Sequence, residues 1–196
     1  FYEGLQVEPH VIRTKAEIIE KAKKLKEKGI EPFGKRYDVE NKICDLIQQF
    51  KDTDKEILHD LNYHVKIAGR LMAKRDKGKI AFINVEDRDG NIQVYIKKDI
   101  IGEESFEIFK LSDIGDIIGI EGIMMKTNTG ELTIKCEHYT HLTKALRPLP
   151  EKYHGLTNIE ERYRRRYLDL IANRHAKEVA IYRTKIIREI QKYLLK

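Results

Sequence analysis

Phe82, Gln93 and Arg75 are the residues whose types and spacing could do chemistry. In the run IAFINVE, residues 80–86, apolar Ala81, Ile83 and Val85 recur at every second position, so Phe82, Asn84 and Glu86 face the other way. In IQVYIK, residues 92–97, Ile92, Val94 and Ile96 do the same and leave Gln93, Tyr95 and Lys97 outward. An aromatic ring and a carboxamide on one exposed face suit single-stranded nucleic acid. The ring stacks a base, for about 1–3 kcal/mol, and the amide reads a base edge. Arg75, in the basic turn Lys74 to Lys79 ahead of the first run, offers a cation to phosphate or base. Each residue alone has a plainer reading: Phe82 as peripheral core under a loop, Gln93 as a solvated strand residue, Arg75 as an exposed turn residue. Together they favour a binding face, because all three plain readings would have to hold at once.

The elements that must carry this face follow from a change of period. Val65, Ile67, Gly69 and Leu71 alternate with His64, Lys66, Ala68 and Arg70, which predicts a first strand ending in the basic turn. A second strand runs from Ile80 to about Arg88, and Asp89-Gly90, where positive φ is favoured, predicts a two-residue hairpin into the third. That turn would set Asn84 opposite Tyr95 and Glu86 opposite Gln93. Glu103 to Leu111 reads as a short helix with Phe106 and Phe109 inward; strands over about 116–126 and 131–143 follow, joined by Asn128-Thr129-Gly130. Three strands, a helix and two strands is the order of an OB-fold barrel, whose second and third strands commonly face a nucleic acid. The barrel is placed at residues 60–143.

Helical extensions flank it. Ile12, Ala16, Ile19, Ala22 and Leu25 recur at helical spacing between Val11 and Lys28, with Gly29 as a stop and lysines in the last turn; Ile43, Leu46, Ile47 and Phe50 suggest a second, shorter helix. Beyond the barrel, Pro148 and Pro150 make a stiff connector, and Thr157-Asn158-Ile159-Glu160 reads as a capping box with Thr157 as the cap. The helix it opens would stripe Ile159, Tyr163, Tyr167, Leu170 and Ile171 on one side, with Arg162, Arg165, Arg166 and Asp169 largely elsewhere. A last helix, from about Ala176, carries Val179, Tyr182, Ile186, Ile190, Tyr193 and Leu194. The fold class is therefore α+β: a helical extension (1–59), a five-stranded barrel (60–143), a linker (144–158), and helices opening a further domain (159–196).

The bulk numbers agree with this. The chain has 196 residues, 36% of them charged, and a formal net charge of +6, which fits a folded protein with an anionic partner. Lysines crowd the first helix and the turn from Lys74, and Arg164-Arg165-Arg166 is unbroken; three basic runs in different elements favour nucleic acid. Cys44 and Cys136 form no close pair, so neither a disulfide framework nor a zinc knuckle is expected, and Cys136 falls at an interior strand position. No metal site and no membrane span are expected, and a reducing, cytoplasmic setting fits.

The stretch LTKALRPLPEKYHGL, followed by ERYRRRYLDLI, resembles the linker and entry helix of class II lysyl-tRNA synthetases, and GIEPFGKRYD resembles the bacterial-type form. The resemblance runs from about Ile12 onward, whereas Phe1 to Gln6 match nothing. It implies that the barrel binds the anticodon loop of tRNA(Lys). The family pattern of an Arg, a Phe seven residues on and a Gln eleven further falls on Arg75, Phe82 and Gln93, which by resemblance read the middle uridine; Glu131 is similar to a further anticodon contact. The same resemblance implies a homodimeric ligase that activates lysine with ATP and Mg²⁺ and esterifies it to tRNA. Its catalytic residues would lie beyond Lys196, so the 196 residues are expected to need no cofactor and to be inactive alone. Two rivals stand beside this reading: a free-standing OB-fold binder of single strands, and a scaffold dimerising through its C-terminal helices.

Overall fold

The computed structural model describes residues 9–34, 36–150, 156 and 158–195, with side chains from residue 15 onward. The expectations for Phe1 to Gln6, for the side chain of Ile12, for Glu151 to Gly155 and for the Thr157 cap lie outside the described residues. The chain divides into two compact units, Phe1–Pro148 and Leu149–Lys196.

In the first unit, helix α1 (Pro9–Glu27) is followed by α2 (Ile43–Phe50), α3 (Lys55–Leu61), strands β1 (His64–Asp76), β2 (Ile80–Glu86) and β3 (Asn91–Lys97), helices α4 (Lys98–Ile101) and α5 (Glu103–Leu111), and strands β4 (Ile117–Lys126) and β5 (Leu132–Thr143). The strands close in the order β1-β2-β3-β5-β4, with β4 returning to β1. Closure leaves no open sheet edge. β3 and β5 run parallel, while the other pairs are antiparallel. The inward positions read from alternation, including Val65, Ile67, Ala81, Ile83, Val85, Ile92, Val94 and Ile96, form one buried core with Phe106 and Phe109 of α5. Fully burying each ring contributes about 1.5–3 kcal/mol, so α5 holds the barrel as much as it connects it.

Alternation is interrupted once where it matters. In the β1–β2 ladder Leu71 pairs with Val85 but Ala73 pairs with Asn84, so Met72 is an extra residue in β1. A bulge of this kind shifts the side-chain phase of the strand beyond it. Before it, odd-numbered residues such as Leu71 face the core; after it, Lys74 and Asp76 pair with inward Ile83 and Ala81, and Ala73 and Arg75 turn outward.

The 87–90 turn differs from expectation. The ladder pairs Glu86 with Asn91, and the Asp87 N–H donates to the Gly90 carbonyl at 3.0 Å, so Arg88 and Asp89 are its central residues. Neither Asp89 nor Gly90 has positive φ. The Asp87 carboxylate closes the turn instead, accepting from the N–H groups of Asp89 (2.9 Å) and Gly90 (2.7 Å), and from Ile43 at the start of α2 (2.9 Å). Gly90 is needed for close approach: a Cβ there would stand 2.7 Å from Ile43 Cγ2 and 2.9 Å from Cys44 N.

Three further corrections concern the helices of this unit. α1 buries Ile18, Ala22 and Leu25, while Ile19 and Ala16 are exposed, so its apolar face is rotated from the expected stripe. Two of its lysines and the one just past its end are held by acidic partners: Lys21 by Asp113, Lys24 by Glu20 and Lys28 by Glu107. α3 and α4 were not expected; α3 has one buried residue, Leu58, too little for a periodic signal. The barrel also holds Lys144, whose fully buried ammonium donates to Asp113 and Asp116 at 2.7 Å each. Burial pushes Asp113 upward, but the hydrogen bonds from Lys144 and Lys21 outweigh it and hold the carboxyl below its ordinary value.

The second unit contains α6 (Ile159–Arg164), α7 (Arg166–Ala172) and α8 (Arg174–Leu194). The single entry helix expected from the stripe is broken at Arg165, with φ −114° and ψ 49°. Its cap is Asn158, whose side chain accepts from the N–H groups of Glu160 and Glu161. Ile159, Tyr163 and Tyr167 of the stripe are exposed, and Asp169, expected away from it, is buried. The reason is chemical: Arg162 Nε (2.9 Å) and Arg166 Nη1 (2.7 Å) both donate to the Asp169 carboxylate.

Candidate nucleic-acid interface

The outward faces of β1, β2, β3 and β5 build a surface in rows. Arg75 pairs with Phe82, Phe82 with Tyr95, and Tyr95 with Lys135, so one row across four strands reads cation, ring, ring, cation. The Phe82 and Tyr95 rings are 5.2 Å apart between centroids and tilted by 49°. They brace one another and stay half-buried, each keeping area that a planar base could cover. The next row is Ala73, Asn84, Gln93 and Thr133, and beyond it Glu86 faces Asn91. The face is therefore aromatic along one line and rich in amides along the next.

The pairing expected from Asp89-Gly90, with Asn84 opposite Tyr95, is thus corrected by two residues, because the Asp87-closed turn takes Asp87 and Arg88 out of β2 while β3 still starts at Asn91. The correction brings the rings together. Arg75 is also corrected: it lies in β1 rather than in a turn, on the exposed side, directly opposite Phe82.

Gln93 and Glu131 meet at one point. The Gln93 Nε2 amide donates to Glu131 Oε2 at 2.9 Å, and Thr133 Oγ1 donates to Gln93 Oε1 at 3.0 Å. All four predicted residues therefore occupy two adjacent rows and the loop end beside them. Thr133 and Lys135 escaped the sequence reading. Their signal was available, since inward Ile134 and Cys136 put both neighbours outward on β5.

Lys74, grouped by sequence with the basic turn, points the other way. Its ammonium donates to the carbonyls of Phe109 (3.0 Å), Lys110 (3.3 Å) and Ser112 (2.8 Å), and lies 4.3 Å from the Phe109 ring centroid. It caps the C-terminus of α5, where orphan carbonyls attract a cation. Burial pulls its pKa down to about 8. The basic turn proper contributes exposed Lys77 and Lys79.

Cys136 is fully buried, and desolvation pushes its thiol up to about 12, so it serves the core. Among the described residues no group of three or more His, Cys, Asp or Glu could hold a metal, and no helix is long and apolar enough to cross a membrane.

Comparison with known proteins agrees with this geometry. Residues 65–142 match the tRNA anti-codon family, described as an OB-fold nucleic acid binding domain. The chain is 55% identical over 175 residues to a lysine–tRNA ligase of Streptococcus sanguinis, covering 89% of this chain and 35% of that protein. Lysine–tRNA ligases of Streptococcus pneumoniae and Streptococcus mutans are 54% identical over the same length, with the same coverage. The chain thus spans about a third (35%) of the length of the curated relatives it matches. Residues 65–142 are thus similar to the OB-fold nucleic acid binding domains of the tRNA anti-codon family, and over the aligned 175 residues the chain is similar to the lysine–tRNA ligases.

Proposed function

We propose that the outward face of β1–β2–β3–β5 binds the anticodon loop of tRNA(Lys), with Phe82 stacked on the middle uridine, Arg75 and Gln93 at its edge or phosphate, and Glu131 at the loop end beside them. The observation that carries this reading is the row Arg75–Phe82–Tyr95–Lys135 laid against the amide row of Gln93, since cation, ring and amide are what a splayed-out base requires. The names of the relatives favour it over a free-standing binder of single strands.

The same reading makes the whole protein a cytoplasmic, homodimeric ligase that activates lysine with ATP and Mg²⁺ and transfers it to tRNA. Activation belongs to the two thirds of the relatives' length outside the match, so the 196 residues alone bind tRNA without charging it. The test compares two anticodon stem-loops differing only in the middle base, uridine against cytidine, at fixed salt because phosphate contacts are salt-sensitive. A uridine preference that disappears in Phe82→Ala and Gln93→Ala is the expected result. Equal binding to both loops refutes the assignment.

A further inference from the structure

A carboxamide offers four hydrogen-bonding positions, two N–H donors and two lone pairs on oxygen. In Gln93 one of each is already taken: Nε2 donates to Glu131 Oε2 at 2.9 Å, and Oε1 accepts from Thr133 Oγ1 at 3.0 Å. One N–H and one lone pair are left for a base, and their left-to-right order depends on which way round the amide sits. Turning it by half a rotation would set Oε1 against the Glu131 carboxylate, which when ionised only accepts. Thr133 is fully buried, and its single hydroxyl proton has two acceptors in reach, Gln93 Oε1 and the Glu131 carbonyl at 3.1 Å; since a hydroxyl can also accept, it is the Glu131 carboxylate that tells the two orientations apart.

The order matters because the two pyrimidines differ in it. Uracil presents N3–H beside the O4 carbonyl, whereas cytosine presents a bare N3 beside the N4 amine. For a ring stacked in one pose, an amide held one way round matches one base and opposes donor to donor and acceptor to acceptor with the other. A freely turning amide accommodates both.

We infer that Glu131 is a positioning residue whose carboxylate fixes the Gln93 amide in one of its two orientations and so sets which pyrimidine the face accepts. This rests on the reading of the face as a base-binding surface, and it gives Glu131 a role through Gln93 in place of a base contact of its own.

The test measures affinity for the uridine and cytidine stem-loops with the unmodified chain, Glu131→Gln, Gln93→Ala and the double variant. In Glu131→Gln the acceptor-only group becomes an amide that can donate or accept, which frees Gln93 to turn. The expected result is that uridine preference falls by about tenfold, the scale of one bidentate base contact, mainly through improved cytidine binding. In the Gln93→Ala background the same substitution should change the preference by less than about twofold, because its effect passes through the amide. Resonances of the Gln93 side-chain N–H₂ group, well separated and slowly exchanging in the unmodified chain, should merge towards free-amide values in Glu131→Gln without any RNA present. Equal binding of both loops by the unmodified chain overturns the reading of the face and the lock with it. A uridine preference that survives Glu131→Gln, or that Glu131→Gln alters equally with and without Gln93, overturns the lock alone.

Discussion

Arg75 stands directly opposite Phe82 in the β1–β2 ladder although the alternation of β1 would point it into the barrel, and the extra residue Met72 makes the difference. The bulge reverses the phase of the last turn of strand and sends two adjacent cations to opposite sides. Lys74 goes inward to the end of α5 and Arg75 goes outward to the rings. One irregularity thus fastens the connecting helix and furnishes the face.

Arg75→Ala should weaken stem-loop binding and lower the slope of log affinity against log salt by about 0.7–0.9, the release expected for one phosphate contact. The measurement is a titration at several salt concentrations. A slope unchanged from the parent, with uridine preference reduced, would assign Arg75 to the base edge.

Lys74 makes stability depend on pH in a defined direction. Its folded pKa, about 8, lies below its ordinary value of 10.5, so between those values the unfolded chain holds a proton that the folded chain has released. Stability rises with pH wherever the unfolded state binds more protons. The stability of the parent relative to Lys74→Met should therefore climb between about pH 8 and pH 10.5, by up to about 3 kcal/mol at 1.36 kcal/mol per unit. Urea unfolding of both proteins across that range measures it, and other titrating groups cancel in the difference. Parallel curves would show that the ammonium is solvated.

Most of this architecture was legible because a half-buried strand writes its faces into alternate residues. Ile83, Val85, Ile92 and Val94 marked the core, and with it the opposite face that carries Phe82 and Gln93. What escaped depends on contacts distant in sequence. Met72 carries no mark of a bulge, since its extra place exists only relative to β2. Asp89-Gly90 resembles a hairpin dipeptide, but Asp87 and the nearby start of α2 decide the turn. In α1, adjacent Ile18 and Ile19 satisfy helical spacing almost equally, and only docking selects Ile18.

The 87–90 turn offers a stability test. Gly90→Ala should destabilise the barrel by about 1–3 kcal/mol, the usual range for forcing a methyl into a filled space, because part of what it meets is the backbone nitrogen of Cys44 and cannot turn aside. Thermal unfolding reads this directly. An unchanged midpoint would mean that α2 shifts away without loss.

The second unit supplies an asymmetric prediction. Asp169 has a side chain 1% exposed, while its partners Arg162 and Arg166 are 35% and 46% exposed. Removing the carboxylate leaves two guanidinium groups that can reach water. Removing both arginines leaves a buried charge with, among the described residues, only Asn173 Nδ2 at 3.4 Å. A buried charge without its partner is the costlier residue to strand. The double variant Arg162→Ala/Arg166→Ala should therefore loosen the α6–α7 joint more than Asp169→Ala does, by about 1–3 kcal/mol, a range tempered by the arginines' exposure. Hydrogen exchange at the amides of Leu168, Asp169 and Asn173, which bond back to Arg165 and Asp169 carbonyls, measures the joint in the full chain. Faster exchange in Asp169→Ala than in the double variant would show that the arginines, and not the carboxylate, carry the cost of burial.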